Sequence, residues 1–181
     1  MTGNPEIRVL FDEEAIATRV KAIAEAIAQD NPHKLLVVAV LKGSFIFAAD
    51  LARSLHRAGS VPEMEFLHLS SYGRGTVSSG DVKILRDIES DVSGRDVILV
   101  DDILESGRTL KFARDLIAER GAKSVRVAAL LDKPNHRKAD IKSDYTGFDC
   151  PDKFVVGYGM DMGHAWRQLP FIGYVPQEGD D

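Results

Sequence analysis

One cysteine, Cys150, stands in a chain of 181 residues. A lone thiol can neither close an internal disulfide nor build a multi-cysteine zinc site. In Phe148-Asp149-Cys150-Pro151 it has no evident catalytic partner and reads as a bystander. Excess positive charge is missing as well. A net charge of −5 provides no basic face for non-specific nucleic-acid binding, so an anionic ligand must be held by local cations. No apolar stretch approaches the roughly 20 residues of a membrane span, and the polar N-terminal residues show no signal-peptide core. The histidines, His33, His56, His68, His136 and His164, fall at no ligand spacing and form no nucleophile pair. Repeats, low-complexity tracts and interdomain linkers are absent too. What remains, 44% apolar and 28% charged residues, fits one soluble domain with a full core, expected in the cytoplasm.

Strands and helices alternate along that domain. Asp12 is placed to cap a helix to about Gln29, whose Ile16, Val20, Ile23 and Ile27 form one buried stripe. Leu35 to Leu41 is continuously apolar, as in a strand covered on both faces. A helix from about Ser44 to His56 follows, then a strand from Met64 to Leu69. The serine- and glycine-rich segment 70–80 predicts a mobile loop or a two-stranded flap. Beyond it come a strand ending at Asp101-Asp102, a helix from about Gly107 to Arg120 closed by Gly121, and a strand from Val125 to Leu131. A further strand is predicted over Phe154–Tyr158 and a last edge over Phe171–Val175. Such alternation implies a mainly parallel sheet with helices on both faces, binding its ligand beyond the carboxyl ends of the strands.

The chemistry concentrates at those ends. Val97-Ile98-Leu99-Val100 reads as a buried strand leading into Asp101-Asp102 and then Glu105-Ser106-Gly107-Arg108-Thr109, at the start of a helix. Such a turn aims several backbone N–H groups at one point beside the positive end of a helix dipole, which is an anion cradle suited to phosphate. Carboxylates there would repel the ligand unless they served its sugar hydroxyls, with a divalent cation nearby. A phosphorylated sugar is the implied ligand. A P-loop fits poorly, because Arg108 replaces its Lys and Asp102 its first Gly. Leu41-Lys42-Gly43-Ser44 forms a second strand-to-helix turn with anion-binding character, and Leu131-Asp132-Lys133 places a cation just past a buried strand.

The Val97–Leu110 run resembles the signature of the phosphoribosyltransferases, which use 5-phosphoribosyl-1-pyrophosphate. The resemblance implies a type I phosphoribosyltransferase fold, α/β, with a small hood near the C-terminus and a flexible lid. It implies one domain over 1–181, with a core of about 30–135 and a base-binding hood of about 136–181 plus the N-terminal segment. By the same resemblance Asp101 and Asp102 contact the ribose hydroxyls, and Glu105, Ser106, Gly107, Arg108 and Thr109 wrap the 5′-phosphate. Lys42 and Gly43 bind pyrophosphate, with a non-proline cis peptide before Lys42. Pro151-Asp152-Lys153-Phe154-Val155-Val156-Gly157-Tyr158-Gly159-Met160-Asp161, with Arg167 beyond, is similar to the hypoxanthine-guanine phosphoribosyltransferases. That likeness implies an oxopurine read by Lys133, stacked on Phe154 and met by the Val155 backbone. It implies Mg²⁺ held by Asp161, Asp101 and Asp102, pyrophosphate contacted by Arg167, and Ser71-Tyr72 in the closing lid.

Two positions depart from the family pattern. Glu105 stands where Asp is usual for the proton-handling group, and Asp101 where Glu is common. Glu105 carries the same carboxylate on a longer stem, so proton transfer remains open to it, and the alternative is a helix-start acid pairing with Arg108. Hypoxanthine is the expected first substrate, guanine the second and xanthine a distant third, with a homodimer or homotetramer as the assembly and no nucleic-acid or membrane partner. The rival readings are a regulator that senses phosphoribosyl pyrophosphate and a transferase for another base such as uracil.

Overall fold

The computed structural model describes residues 6–71 and 82–176. A short strand, β1 (Arg8–Phe11), precedes helix α1 (Glu13–Gln29), which starts where Asp12 accepts a hydrogen bond from the Ala15 N–H at 2.8 Å. The predicted stripe of Ile16, Val20, Ile23 and Ile27 is buried. Strand β2 (Leu36–Leu41) leads into α2 (Phe45–Arg57), and β3 (Glu63–Ser71) into β4 (Val82–Arg86). Then β5 (Asp96–Leu104), α3 (Arg108–Glu119), β6 (Ser124–Asp132) and β7 (Tyr145–Asp149) complete a six-stranded sheet in the order β4-β3-β2-β5-β6-β7. All its pairings are parallel except β3 with β4 at the edge.

The sheet is covered on both faces, as the unbroken apolar run of β2 requires. Val37 and Ala39 pack with α1 and α2, whereas Leu36, Val38 and Val40 pack with α3. The expected mainly parallel α/β architecture is therefore present. A second, antiparallel sheet joins β1 to β9 (Ile172–Tyr174) and β9 to β8 (Val155–Val156).

Several expectations are corrected. The acid pair does not follow β5 but lies within it, since Asp101 pairs with Ala129 and the ladder continues to Leu104. Phe154–Tyr158 shrinks to two strand residues, because Gly157, Tyr158 and Gly159 all take positive φ. The last strand is the centre of the small sheet, not an edge. Strands β1, β4 and β7 were not foreseen. In β7, Gly147 lies so close to β6 that a Cβ would sit 2.3 Å from the Leu130 carbonyl oxygen, so glycine is what admits the strand there.

Candidate active site

The hydrophobic residues of β5 carry the chain to the carboxyl edge of the sheet, where Asp101 and Asp102 meet the surface. Each carboxylate bonds locally: Oδ1 of Asp101 accepts from the Asp102 N–H at 3.0 Å, and Oδ1 of Asp102 from the Ile103 N–H at 2.9 Å. Burial pushes both carboxyl groups above their ordinary range, Asp101 further, because the Asp102 charge adds to its desolvation. The chain then turns through Glu105, Ser106 and Gly107 into α3. Gly107 has φ +77°, and a Cβ there would lie 2.5 Å from Ile141 Cγ2, so neither the backbone nor the space admits a side chain.

This turn is braced by a segment that the sequence analysis missed. Arg137 donates to the carbonyl oxygens of Leu104 (3.1 Å), Glu105 (2.9 Å) and Ile141 (2.6 Å), and pairs with Asp132. The N–H groups of Lys138 and Ala139 reach the Ser106 carbonyl at 2.9 and 3.0 Å. A basic run between loop residues, His136-Arg137-Lys138, carried no sequence signal for this job.

Across the edge, the Lys42-Gly43 turn presses on the acids. The Leu41–Lys42 peptide is cis, as the resemblance implied. A Cβ on Gly43 would sit 1.7 Å from Asp102 Oδ2, and one on Gly159 would sit 2.0 Å from the Gly43 carbonyl oxygen. Arg167 donates to the Gly159 carbonyl at 2.6 Å and forms an ion pair with Asp161 Oδ1 at 2.8 Å, and its charge draws down the Asp102 carboxyl against the effect of burial. Asp161 Oδ2 also accepts from the His164 N–H at 2.8 Å. The Lys42-Gly43 turn, Asp102, Gly159, Arg167 and Asp161 thus form one chain of neighbours. Among the described residues no three His, Cys, Asp or Glu side chains form a metal cage. Two half-buried acids raised by desolvation, beside a turn expected to bind pyrophosphate, do suit a hard cation that takes few protein ligands and completes its shell with water and phosphate.

The third side is built around Lys133, which is buried. Its Nζ donates to the Lys153 carbonyl at 2.6 Å and lies 3.6 Å from Glu105 Oε1. Glu105 therefore pairs with Lys133 and not with Arg108, which corrects the alternative drawn from helix-start charge pairing. Phe154, one residue from the lysine's acceptor, exposes 53% of its surface, while Val155 is buried. Cys150 is buried close by, its thiol pushed up by burial and by Glu105 and Asp152, with Lys133 opposing. Ser71 ends β3, and Tyr72 lies outside the described residues.

An amide-lined turn at a helix start, twin acids at the end of the preceding strand and a cationic turn facing them define a transferase that handles a sugar bearing phosphate groups. The chain belongs to the phosphoribosyl transferase family, in its hypoxanthine-guanine branch: the family model for the phosphoribosyl transferase domain matches residues 8–162. It is 46% identical to a hypoxanthine-guanine phosphoribosyltransferase of Bacillus subtilis (strain 168), over 92% of this chain and 91% of that protein. It is 43% identical to one from Streptococcus thermophilus (strain CNRZ 1066), over 94% of each. A solved hypoxanthine phosphoribosyltransferase from Staphylococcus aureus matches with a TM-score of 0.87 at 41% identity, covering 94% of this chain and 92% of that one.

Proposed function

We propose that this protein transfers the 5-phosphoribosyl group from 5-phosphoribosyl-1-pyrophosphate to N9 of hypoxanthine, and of guanine, giving the nucleoside monophosphate and pyrophosphate. The observation that carries this reading is the contact of Gly43 with Asp102, which joins the pyrophosphate turn to the acids that precede the phosphate turn. One ligand with phosphates at both ends of a ribose spans such a site.

In the reaction, purine N9 forms a bond to ribose C1 as the bond from C1 to the pyrophosphate oxygen breaks. Asp101 and Asp102 hold the diol, and the amides of Glu105 to Thr109 hold the 5′-phosphate, so the sugar is oriented before the bond breaks. Lys42 and Arg167 meet the negative charge that builds on the departing pyrophosphate. Magnesium, when bound, neutralises the same charge, and Asp101, Asp102 and Asp161 are the residues that would hold it. Lys133 donates to the purine 6-oxo group, which favours oxopurines over adenine, whose 6-amino group is itself a donor. The Glu105 carboxylate takes the proton that the purine loses. Phe154 stacks on the base, the Val155 backbone meets its edge, and the small sheet of β1, β8 and β9 forms the hood around it. By the same reading Ser71 and Tyr72 belong to the lid that excludes water. Assembly as a homodimer or homotetramer, in the cytoplasm, belongs to the same reading.

A panel of hypoxanthine, guanine, xanthine, adenine and uracil with the activated sugar and magnesium, followed by absorbance, tests it. Turnover in the order hypoxanthine, guanine, xanthine, with neither adenine nor uracil used, is expected. Tight binding of the activated sugar with no turnover of any base would instead make the protein a sensor of that metabolite.

A further inference from the structure

The amides of the phosphate turn need something to aim them. In a trans peptide unit the C=O of one residue and the N–H of the next point in opposite directions. Fixing the carbonyls of Leu104, Glu105 and Ser106 on one side therefore fixes the N–H groups of Glu105, Ser106 and Gly107 on the other. All three carbonyls are held from one segment. Leu104 accepts from the Lys133 N–H at 3.0 Å and from Arg137 Nη2 at 3.1 Å. Glu105 accepts from Arg137 Nε at 2.9 Å. Ser106 accepts from the N–H groups of Lys138 and Ala139. Among the described residues, none accepts a hydrogen bond from the N–H of Glu105, Ser106 or Gly107.

We propose that Arg137 is the positioning residue of the phosphate cradle, its guanidinium turning two carbonyls outward so that the amides behind them face the 5′-phosphate. The proposal rests on the phosphoribosyl reading above and adds a residue to it. Arg137 suits the task because its fork of donors is planar and permanently charged. Its side chain exposes only 17% of its surface, and Nη1 is spent on the Ile141 carbonyl, which fastens the brace to the residue packed under Gly107. The same segment begins at Lys133. The distance from the base-reading ammonium to the phosphate cradle is therefore set by one short, hydrogen-bonded stretch.

Affinity for inosine 5′-monophosphate against inosine isolates the phosphate's share of binding. The test titrates both ligands into the wild type, Arg137→Gln, Asp132→Asn and the double variant, which leaves no unpaired buried charge. A monophosphate preference in the wild type is the prior condition, and its absence would count against the phosphoribosyl reading itself. Given that preference, Arg137→Gln and the double variant should lower it about 10- to 100-fold, the worth of one or two charge-assisted contacts to a phosphate, with inosine affinity unchanged. Asp132→Asn keeps both carbonyl bonds and should retain the preference within about threefold. An unchanged preference in a folded glutamine variant overturns the proposal. So does an equal loss in Asp132→Asn, which would make the ion pair, not the carbonyl bonds, the cause. If neither glutamine variant folds, Arg137→Lys carries the same comparison, because its single ammonium cannot hold both carbonyls.

Discussion

Strand β5 begins with an aspartate and carries two more towards its C-terminal end, and the two places behave in opposite ways. At the start, Asp96 is satisfied from every side: Oδ2 accepts from the His33 N–H at 2.6 Å and from Lys123 at 3.2 Å, and Oδ1 from the Ser124 hydroxyl at 2.7 Å. These donors, the His33 amide first, pull its carboxyl down to about 2. Towards its other end, Asp101 and Asp102 bond to each other and to neighbouring amides of their own backbone, Arg167 adds a weaker pull on Asp102, and burial still pushes both up. The same side chain is therefore a stabilising group at one end of the strand and a destabilising one at the other. Burial without enough donors is tolerated where a ligand is to supply the missing partners. The start of the strand holds the fold together, and its end stays poised for chemistry.

The largest effect should come from the chemical end. Glu105→Gln keeps the shape of the side chain but removes the carboxylate, and kcat should fall roughly 10²- to 10⁴-fold if Glu105 takes the purine proton. Steady-state kinetics on folded protein decides the point, and a loss under about threefold removes Glu105 from that role. Its pairing with Lys133 at 3.6 Å adds a second readout. Lys133→Met should cost about tenfold to a hundredfold in kcat/KM for hypoxanthine, the worth of a hydrogen bond from a charged donor.

How well this site can be read in the sequence follows from how local each part is. Asp101 to Thr109 is one contiguous run, and its strand, acids, turn and helix start are all visible as letters. Gly43 is legible as a turn residue, but its packing against Asp102, and that of Gly159 against Gly43, are tertiary facts. Lys133 and Phe154 acquire meaning only through family resemblance, since a lysine past a strand and a phenylalanine beside valines fit an ordinary fold. Arg137 is silent because its acceptors, Leu104 and Glu105, are 33 and 32 residues away in sequence. β1 is silent for the same reason, as its four residues pair with β9, near the other end of the chain. Glu105 is a different case. The letter is plain, but which cation it would meet depended on how the turn folds.

The comparison between the ends of β5 sharpens when each aspartate is neutralised in turn. If Asp101 holds the ribose as proposed, Asp101→Asn should lower kcat/KM about tenfold to a hundredfold through loss of a charged hydrogen bond. It should also raise thermal stability at pH 7, by on the order of 1 kcal/mol, because a buried charge next to Asp102 is removed. Asp96→Asn should do the reverse, costing about 1–2 kcal/mol while kcat and KM stay within about twofold. Calorimetry beside kinetics on the two variants checks both. If Asp101→Asn were destabilised as much as Asp96→Asn, the distinction between a satisfied and a poised end would fail.

The smallest effect lies in the acid limb of stability, where the two ends should contribute with opposite signs. Asp96 is held at about 2 in the folded chain against an ordinary 3.8, so the unfolded chain binds its proton first. Its stabilising contribution is complete above about pH 4 and drains away as the pH falls towards 2. Asp101 is raised in the folded chain, so there the folded state binds the proton first, and the burden it places on stability at neutral pH is lifted as the pH falls through its elevated range. Urea unfolding from pH 7 to 2 separates the two. Relative to wild type, Asp96→Asn should lose its deficit only below about pH 4, whereas Asp101→Asn should lose its advantage at higher pH, before Asp96 begins to titrate. A deficit in Asp96→Asn that persists unchanged at pH 2 would mean that the amide's packing, and not the carboxylate's hydrogen bonds, accounts for the cost.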